Sequence, residues 1–339
     1  MKPNTPDWTP RLEAFLTERT GSAARVVGLL RLTGGASRDT WAVDVECGGE
    51  RLALVMRRDL GGVIADDALS RQQEFRVLEH AHAGGVLVPR PRWLGTDAAV
   101  VGVPFFLMDR LEGESVGRRV VREAALAEAR RRLPRQMAEQ LARVHALPLP
   151  PDLDFLPRPE SDWSPARTAL ERAARQLQTL GEPHPALELA VRWLRPRLPD
   201  CPRTVLVHGD FRVGNLMVGL EGLVGVFDWE FAHVGDPHED LAWPCVRAWR
   251  FGQDRLGLGG VGEPDPFFAE YERLSGRTVD RRAVRFWEML GNLRWAVGCV
   301  AQAHRHLSGQ TESLELASLG RRTGEMELEL LDLIEREGS

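Results

Sequence analysis

The sequence predicts an α+β fold: a small N-terminal lobe with an antiparallel sheet, then a larger, mainly helical C-terminal lobe. Three observations carry this expectation. A chain of 339 residues is long enough for two cores. Three short runs rich in strand formers come early, separated by glycine-bearing turns. Farther on, apolar residues recur at spacings of three and four, the period of a helix with one buried face.

Taken in order, Thr9 and Pro10 ahead of Leu12, Phe15 and Leu16 look like a cap and first-turn proline opening a short helix. Residues 26–32, 40–45 and 52–56 are the three strands, broken by Thr33-Gly34-Gly35-Ala36-Ser37 and by Cys47-Gly48-Gly49-Glu50, a hairpin turn. Glu74, Phe75, Val77 and Leu78 lie on a helix over 68–82. Residues 92–94 and 104–111 predict two further strands, the second (PFFLMDRL) entering a polar connector. Leu133, Met137, Leu141, Val144 and Leu147 put an amphipathic helix over 122–147, which Pro134 would kink or split. Helices over 165–180 and 185–194 follow, then a short buried strand at 205–207.

Composition narrows the function classes. Lysine and arginine number 44 against 49 acids, a formal charge of -5, which gives no general attraction to nucleic acid or acidic membranes. Lys2 is the only lysine, so nearly all positive charge is guanidinium. The four cysteines are scattered without a CxxC pair, which points to a reduced compartment and away from a disulfide or zinc framework. The first 30 residues carry charge throughout, and no apolar run reaches the ~18 residues needed to cross a bilayer. A cytoplasmic protein is the expectation.

The chemistry concentrates in LVHGDFRVGNLMVGLEGLVGVFDWE, residues 206–230. His208-Gly209-Asp210 turns sharply at a strand end and presents a carboxylate; Asn215 follows five residues later. Residues 216–218 and 223–227 read as a hairpin ending in Asp228, which would return that acid to Asn215. Two carboxylates and a carboxamide are oxygen donors suited to Mg²⁺, with one acid left for proton work. HGDxxxxN followed by a strand and an apolar-Asp-Trp-Glu turn resembles the catalytic core of the aminoglycoside phosphotransferase family, APH/choline kinase-like small-molecule kinases with a bilobal protein-kinase-like fold. Only seven residues separate Asp228 from Asp236, too few for the long segment with which protein kinases register a polypeptide.

The resemblance implies transfer of the γ-phosphoryl group of ATP to a hydroxyl of a small molecule, with Asp210 orienting the attacking hydroxyl and Asn215 and Asp228 ligating Mg²⁺. It also implies an N-lobe of residues 1–111 that covers the nucleotide and a C-lobe of residues 112–339. Gly34, Gly35 and Ser37 fall where such a fold closes its phosphate-covering loop, although an ordinary hairpin has the same sequence. Glu74 matches the helix glutamate. The strand lysine is absent; Arg57 in LVMRR stands in its place, with Arg58 as rival, as in the branch related to kinase modules joined to acyl-CoA dehydrogenases. The backbone of Asp109 and Leu111 would hold adenine at the hinge. Asp236 and Asp240 of GDPHEDLA would brace the catalytic loop or cap a helix, and His208 and His233 would donate to loops. Trp243, Arg247, Trp249, Arg250, Trp287, Asn292, Arg294 and Trp295 form either the acceptor site, leaning toward a neutral or anionic hydroxyl compound, or core with an arginine rim. Hydroxyacyl thioesters, amino alcohols and aminoglycoside-type antibiotics are the acceptor classes. A pseudokinase that binds nucleotide and regulates a partner, or a metal-dependent hydrolase, are the alternatives from other classes.

Overall fold

A computed structural model describes residues 6–32, 39–59 and 68–338. Gly34, Gly35 and Ser37 lie outside the described residues. The chain divides into two compact units, one of Met1–Glu112, Pro150–Phe155 and Val224–Ala232, the other of Gly113–Leu149, Leu156–Leu223 and His233–Ser339. Among the described residues no helix is long and apolar enough to cross a membrane.

The first unit holds helix α1 (Thr9–Thr20), strands β1 (Ala24–Leu32), β2 (Asp39–Cys47) and β3 (Glu50–Arg58), helix α2 (Arg71–Ala83), strand β4 (Pro91–Gly95), the short helix α3 (Ala98–Val101) and strand β5 (Phe105–Asp109). The strands form one sheet in the order β1-β2-β3-β5-β4, every pairing antiparallel. Period-two alternation gives the sheet two buried faces. Leu54, Met56, Phe105 and Leu107 pack on Leu12, Phe15 and Leu16 of α1; each such large apolar side chain contributes roughly 1.5–3 kcal/mol on burial. Phe106 points the other way and meets Phe75 of α2, ring centroids 5.8 Å apart. A capping box starts α2: Ser70 accepts from the Gln73 amide while the Gln73 side chain accepts from the Ser70 amide.

The second unit is mainly helical: α4 (Gly117–Arg122), α5 (Ala127–Val144), α6 (Pro165–Thr179), α7 (Pro185–Leu194), α8 (Pro237–Ala242), α9 (Pro264–Ser275), α10 (Arg281–Leu307), α11 (Leu314–Gly320) and α12 (Thr323–Gly338). Helix α10, 27 residues long, is the spine on which α6, α7, α8, α11 and α12 pack. The helix expected over 122–147 starts at Ala127, after a turn of 3-10 helix, and Pro134 lies inside it without splitting it. Gly262 explains part of this tolerance: a Cβ there would lie 2.6 Å from the Pro134 ring, so glycine makes room for it.

Strand β6 (Val205–Val207) is where expected, but its antiparallel partner β9 (His233–Gly235) is a pairing the sequence did not announce. Strands β7 (Leu216–Gly219) and β8 (Gly222–Val226) make the expected hairpin. Gly113, at φ 147°, exchanges its side chain for space; a Cβ would approach the Val218 carbonyl oxygen to 2.7 Å.

Candidate active site

Alternation along β3 puts the two arginines on opposite faces. Arg58 shares the α1 face with Met56: it pairs with Asp39 at 3.0 Å, donates to the Val101 carbonyl at 2.7 Å and lies 5.1 Å from the Trp8 ring. Arg57 faces α2 instead. Its Nη1 is 2.7 Å from Glu74 Oε1, its Nη2 donates to Asp228 Oδ1 at 3.0 Å, and Glu230 is 4.0 Å away. Arg71, one turn before Glu74 on α2, takes the other Glu74 oxygen and lies 3.6 Å from Glu230. Burial alone would lower the pKa of Arg71, but Glu74 and Glu230 outweigh it and hold the guanidinium above its ordinary value. All five side chains are buried.

Arg71 and Glu230 were missed by sequence reasoning. The available signals were weak: an arginine three residues before a helix glutamate, and the last letter of DWE. Asp228 adopts φ 81° and ψ 57°, a left-handed conformation that Asp tolerates better than most residues. It precedes the 3-10 turn Trp229–Phe231 but its carboxylate does not cap that turn, so the oxygen is presented to Arg57.

At the expected hinge, Asp109 grips Arg92 through both oxygens, at 2.6 and 3.0 Å, and its N–H donates to the Arg90 carbonyl at 2.9 Å. That amide is engaged within the protein, so a bond from the Asp109 backbone to adenine would run through its carbonyl.

In the second unit the loop after β6 is held from one side by Asp240. Its carboxylate accepts from the His208 amide at 2.7 Å and the Gly209 amide at 3.0 Å, and His145 Nε2 lies 3.2 Å away. A carboxylate only accepts, so His145 carries its proton on Nε2, and the hydroxyl of Tyr271 donates to Nδ1 at 2.8 Å. Tyr271 is the one tyrosine of the chain, and burial pushes its phenol pKa up. His145, which reads from sequence as helix packing, thus joins α5 and α9 to the loop after β6. Asp240 braces that loop and Asp236 caps α8 through the His238 amide, as expected. His208 Nδ1 accepts from the Asp210 amide at 3.2 Å, which leaves the ring proton on Nε2.

Asp210 is mostly buried and carries three donors. Trp243 Nε1 donates to Oδ1 at 2.7 Å, Arg212 Nε to the same oxygen at 3.0 Å, and Asn215 Nδ2 to Oδ2 at 2.6 Å. Asn215 Nδ2 also reaches the Asp210 carbonyl at 2.9 Å, which leaves the amide oxygen of Asn215 as its acceptor. Arg212 lies 4.4 Å from the Trp249 ring, and Arg294 5.4 Å from that of Trp243.

The aromatic and arginine residues expected near an acceptor resolve toward structure. Trp243, Trp249 and Trp287 are buried, and the arginines have carboxylate partners: Arg247 with Glu329 and Asp254, Arg250 with Glu288, Arg294 with Glu239. The lean toward a neutral or anionic acceptor is drawn from composition; each of these three arginines already pairs with a carboxylate. Burial would raise the Glu239 carboxyl, but His233 and Arg294 overcome it and hold the pKa at about 2.

Among the described residues no group of three or more His, Cys, Asp or Glu is placed to hold a metal. Mg²⁺ does not need one, since it keeps waters and substrate oxygens and takes one or two protein ligands. Asn215 and Asp228 each carry a hard oxygen of the kind Mg²⁺ takes. Around Asp228, Arg57 and Arg71 oppose Glu74, Asp228 and Glu230, so these five groups carry one surplus negative charge.

The model of the phosphotransferase enzyme family matches residues 28–291, a span containing Arg57, Arg71, Glu74, Asp210, Asn215, Asp228 and Glu230. The chain belongs to the phosphotransferase enzyme family. It is 28% identical over 356 aligned positions to acyl-CoA dehydrogenase family member 10 of Mus musculus, covering 96% of this chain and 31% of that protein. The chain spans about a third of the length of such curated relatives. Its fold is similar to that of a candidate aminoglycoside phosphotransferase from Ralstonia eutropha, with a TM-score of 0.76 at 22% identity over 97% of this chain and 98% of that one. It is also similar to spectinomycin phosphotransferase solved with ADP and spectinomycin, with a TM-score of 0.62 at 14% identity over 96% and 98% of the two chains. The kinase-like α+β fold expected from the sequence is the fold observed.

Proposed function

We propose that this phosphotransferase moves the γ-phosphoryl group of ATP to a hydroxyl of a small molecule. The observation that carries the reading is the carboxylate of Asp210, fixed by three side-chain donors on a loop that is itself pinned through two backbone amides. An acid so held can receive and orient an alcohol proton without reorganising at the moment of transfer. Asn215 and Asp228 would hold Mg²⁺, which when bound neutralises phosphate charge. Arg57, oriented by Glu74, would supply positive charge to the nucleotide in place of lysine; its fork engages two carboxylates at once, which suits a planar guanidinium. The ADP in the spectinomycin enzyme supports a nucleotide donor. The acyl-CoA dehydrogenase names of the relatives make hydroxyacyl thioesters the first acceptor class to try, ahead of amino alcohols and antibiotics.

The test is incubation with Mg-ATP and a library of hydroxylated metabolites and acyl thioesters, read by mass gain of one phosphate together with ADP release. Asp210→Ala is expected to abolish product while nucleotide binding persists. Nucleotide binding without product across the library would overturn the reading in favour of a regulatory nucleotide binder, and product that survives in Asp210→Ala would remove Asp210 from its role.

A further inference from the structure

Resting on that reading of Asp210, we infer that Trp243 is a positioning residue that makes the acid one-sided: Trp243 and Arg212 fill the lone pairs of Oδ1, so that the acceptor hydroxyl is received on Oδ2. A carboxylate oxygen offers about two lone-pair sites, and a carboxylate about four. Oδ1 has both taken, by Trp243 Nε1 at 2.7 Å and Arg212 Nε at 3.0 Å. Among the described residues Oδ2 accepts only Asn215 Nδ2, at 2.6 Å, and keeps one site. The proton of the attacking hydroxyl therefore passes to Oδ2 as the oxygen–phosphorus bond forms and the bond from phosphorus to the ADP oxygen breaks.

The indole is suited to this task. It donates one hydrogen bond and accepts none, so it cannot take the proton back. Its orientation is set by packing that does not involve Asp210: Trp243 is 8% exposed, with the Trp249 ring centroid 5.6 Å away at 50° and the Arg294 guanidinium 5.4 Å from its ring. Arg294 is in turn tied to Glu239 on α8, the helix whose Asp240 pins the loop. One short helix thus fixes both the backbone of the loop and, through the residue immediately after its end, the side chain of the acid.

Two measurements on the full chain test this. In the first, the protein is labelled with ¹⁵N at its indoles, and the Nε1–H signal of Trp243 is assigned by its disappearance in Trp243→Phe, or by Trp243→His if the phenylalanine variant does not fold. The signal is expected to shift when Asp210→Asn replaces the acceptor; a Trp243 signal that stays in place in Asp210→Asn while the protein remains folded overturns the inference. In the second, ADP release from Mg-ATP, with water as the acceptor, is followed. Trp243→Phe is expected to lower kcat roughly tenfold, the worth of one hydrogen bond to a charged group, with KM for ATP unchanged. Trp243→His, which keeps a ring N–H, should recover part of the loss. An unchanged kcat in Trp243→Phe, with Asp210→Asn inactive, defeats the inference and spares the proposed function. Turnover surviving in Asp210→Asn removes Asp210 from its proposed role and, with it, the role given to Trp243.

Discussion

Replacing Asp240 by asparagine keeps size and shape and removes one acceptor oxygen from a fully buried site. The His208 amide and His145 Nε2 bond to Oδ2, while the Gly209 amide bonds to Oδ1. In the better of its two orientations the carboxamide keeps its oxygen at the Oδ2 position and turns NH₂ toward the Gly209 N–H. One bond to a charged acceptor is then lost, at roughly 1.5–3 kcal/mol, the others become neutral, and a buried donor is left facing a donor. A loss of about 3 kcal/mol is expected. Guanidinium unfolding should show it as a lower midpoint with an unchanged slope, and exchange of the His208 and Gly209 amides should quicken by roughly a hundredfold where opening is local. A stability change under ~0.5 kcal/mol, the range of an ordinary surface substitution, would refute the claim that Asp240 pins the loop.

Arg57→Ala should destabilise the protein by roughly 3–5 kcal/mol, because it leaves Glu74 and Asp228 buried without that guanidinium, and should weaken nucleotide binding in a calorimetric titration; Arg58→Ala, on the opposite face, should leave nucleotide affinity unchanged. Equal effects on affinity would show that β3 alternation does not separate the two roles. Glu239 gives an acid-stability signature. Its folded pKa of about 2 lies below the ordinary 4.5, so its contribution is full above pH 4.5 and is lost as pH falls toward 2. Comparing the unfolding free energy of the parent and Glu239→Gln across that window should show the two curves converge in acid; parallel curves would contradict the pairing with His233 and Arg294.

The local features were legible from sequence because they depend on neighbours in the chain. The strands of the sheet, the hairpin after Asn215 and the turn at Gly209 all rest on periodicity and turn residues, each acting over a few positions. The grouping of Asp210 with Asn215 is local too, since five residues of one loop carry both. Pro134 does not split α5, and part of the reason is distant: Gly262 leaves space for its ring, and nothing near Pro134 announces that glycine.

The sequence by itself determined the residue types of the chemistry, the family to which they belong and the order of strands and helices. Tertiary structure decided the partners. It put Arg57, and not Arg58, beside Glu74 through the face each takes on β3, brought in Arg71 and Glu230, turned His145 and Tyr271 into supports for the loop, and put an indole on Asp210. The reason is physical: a hydrogen bond or ion pair between side chains 33 to 171 positions apart leaves no periodic trace in the chain, since only the packing of the elements between them sets its length.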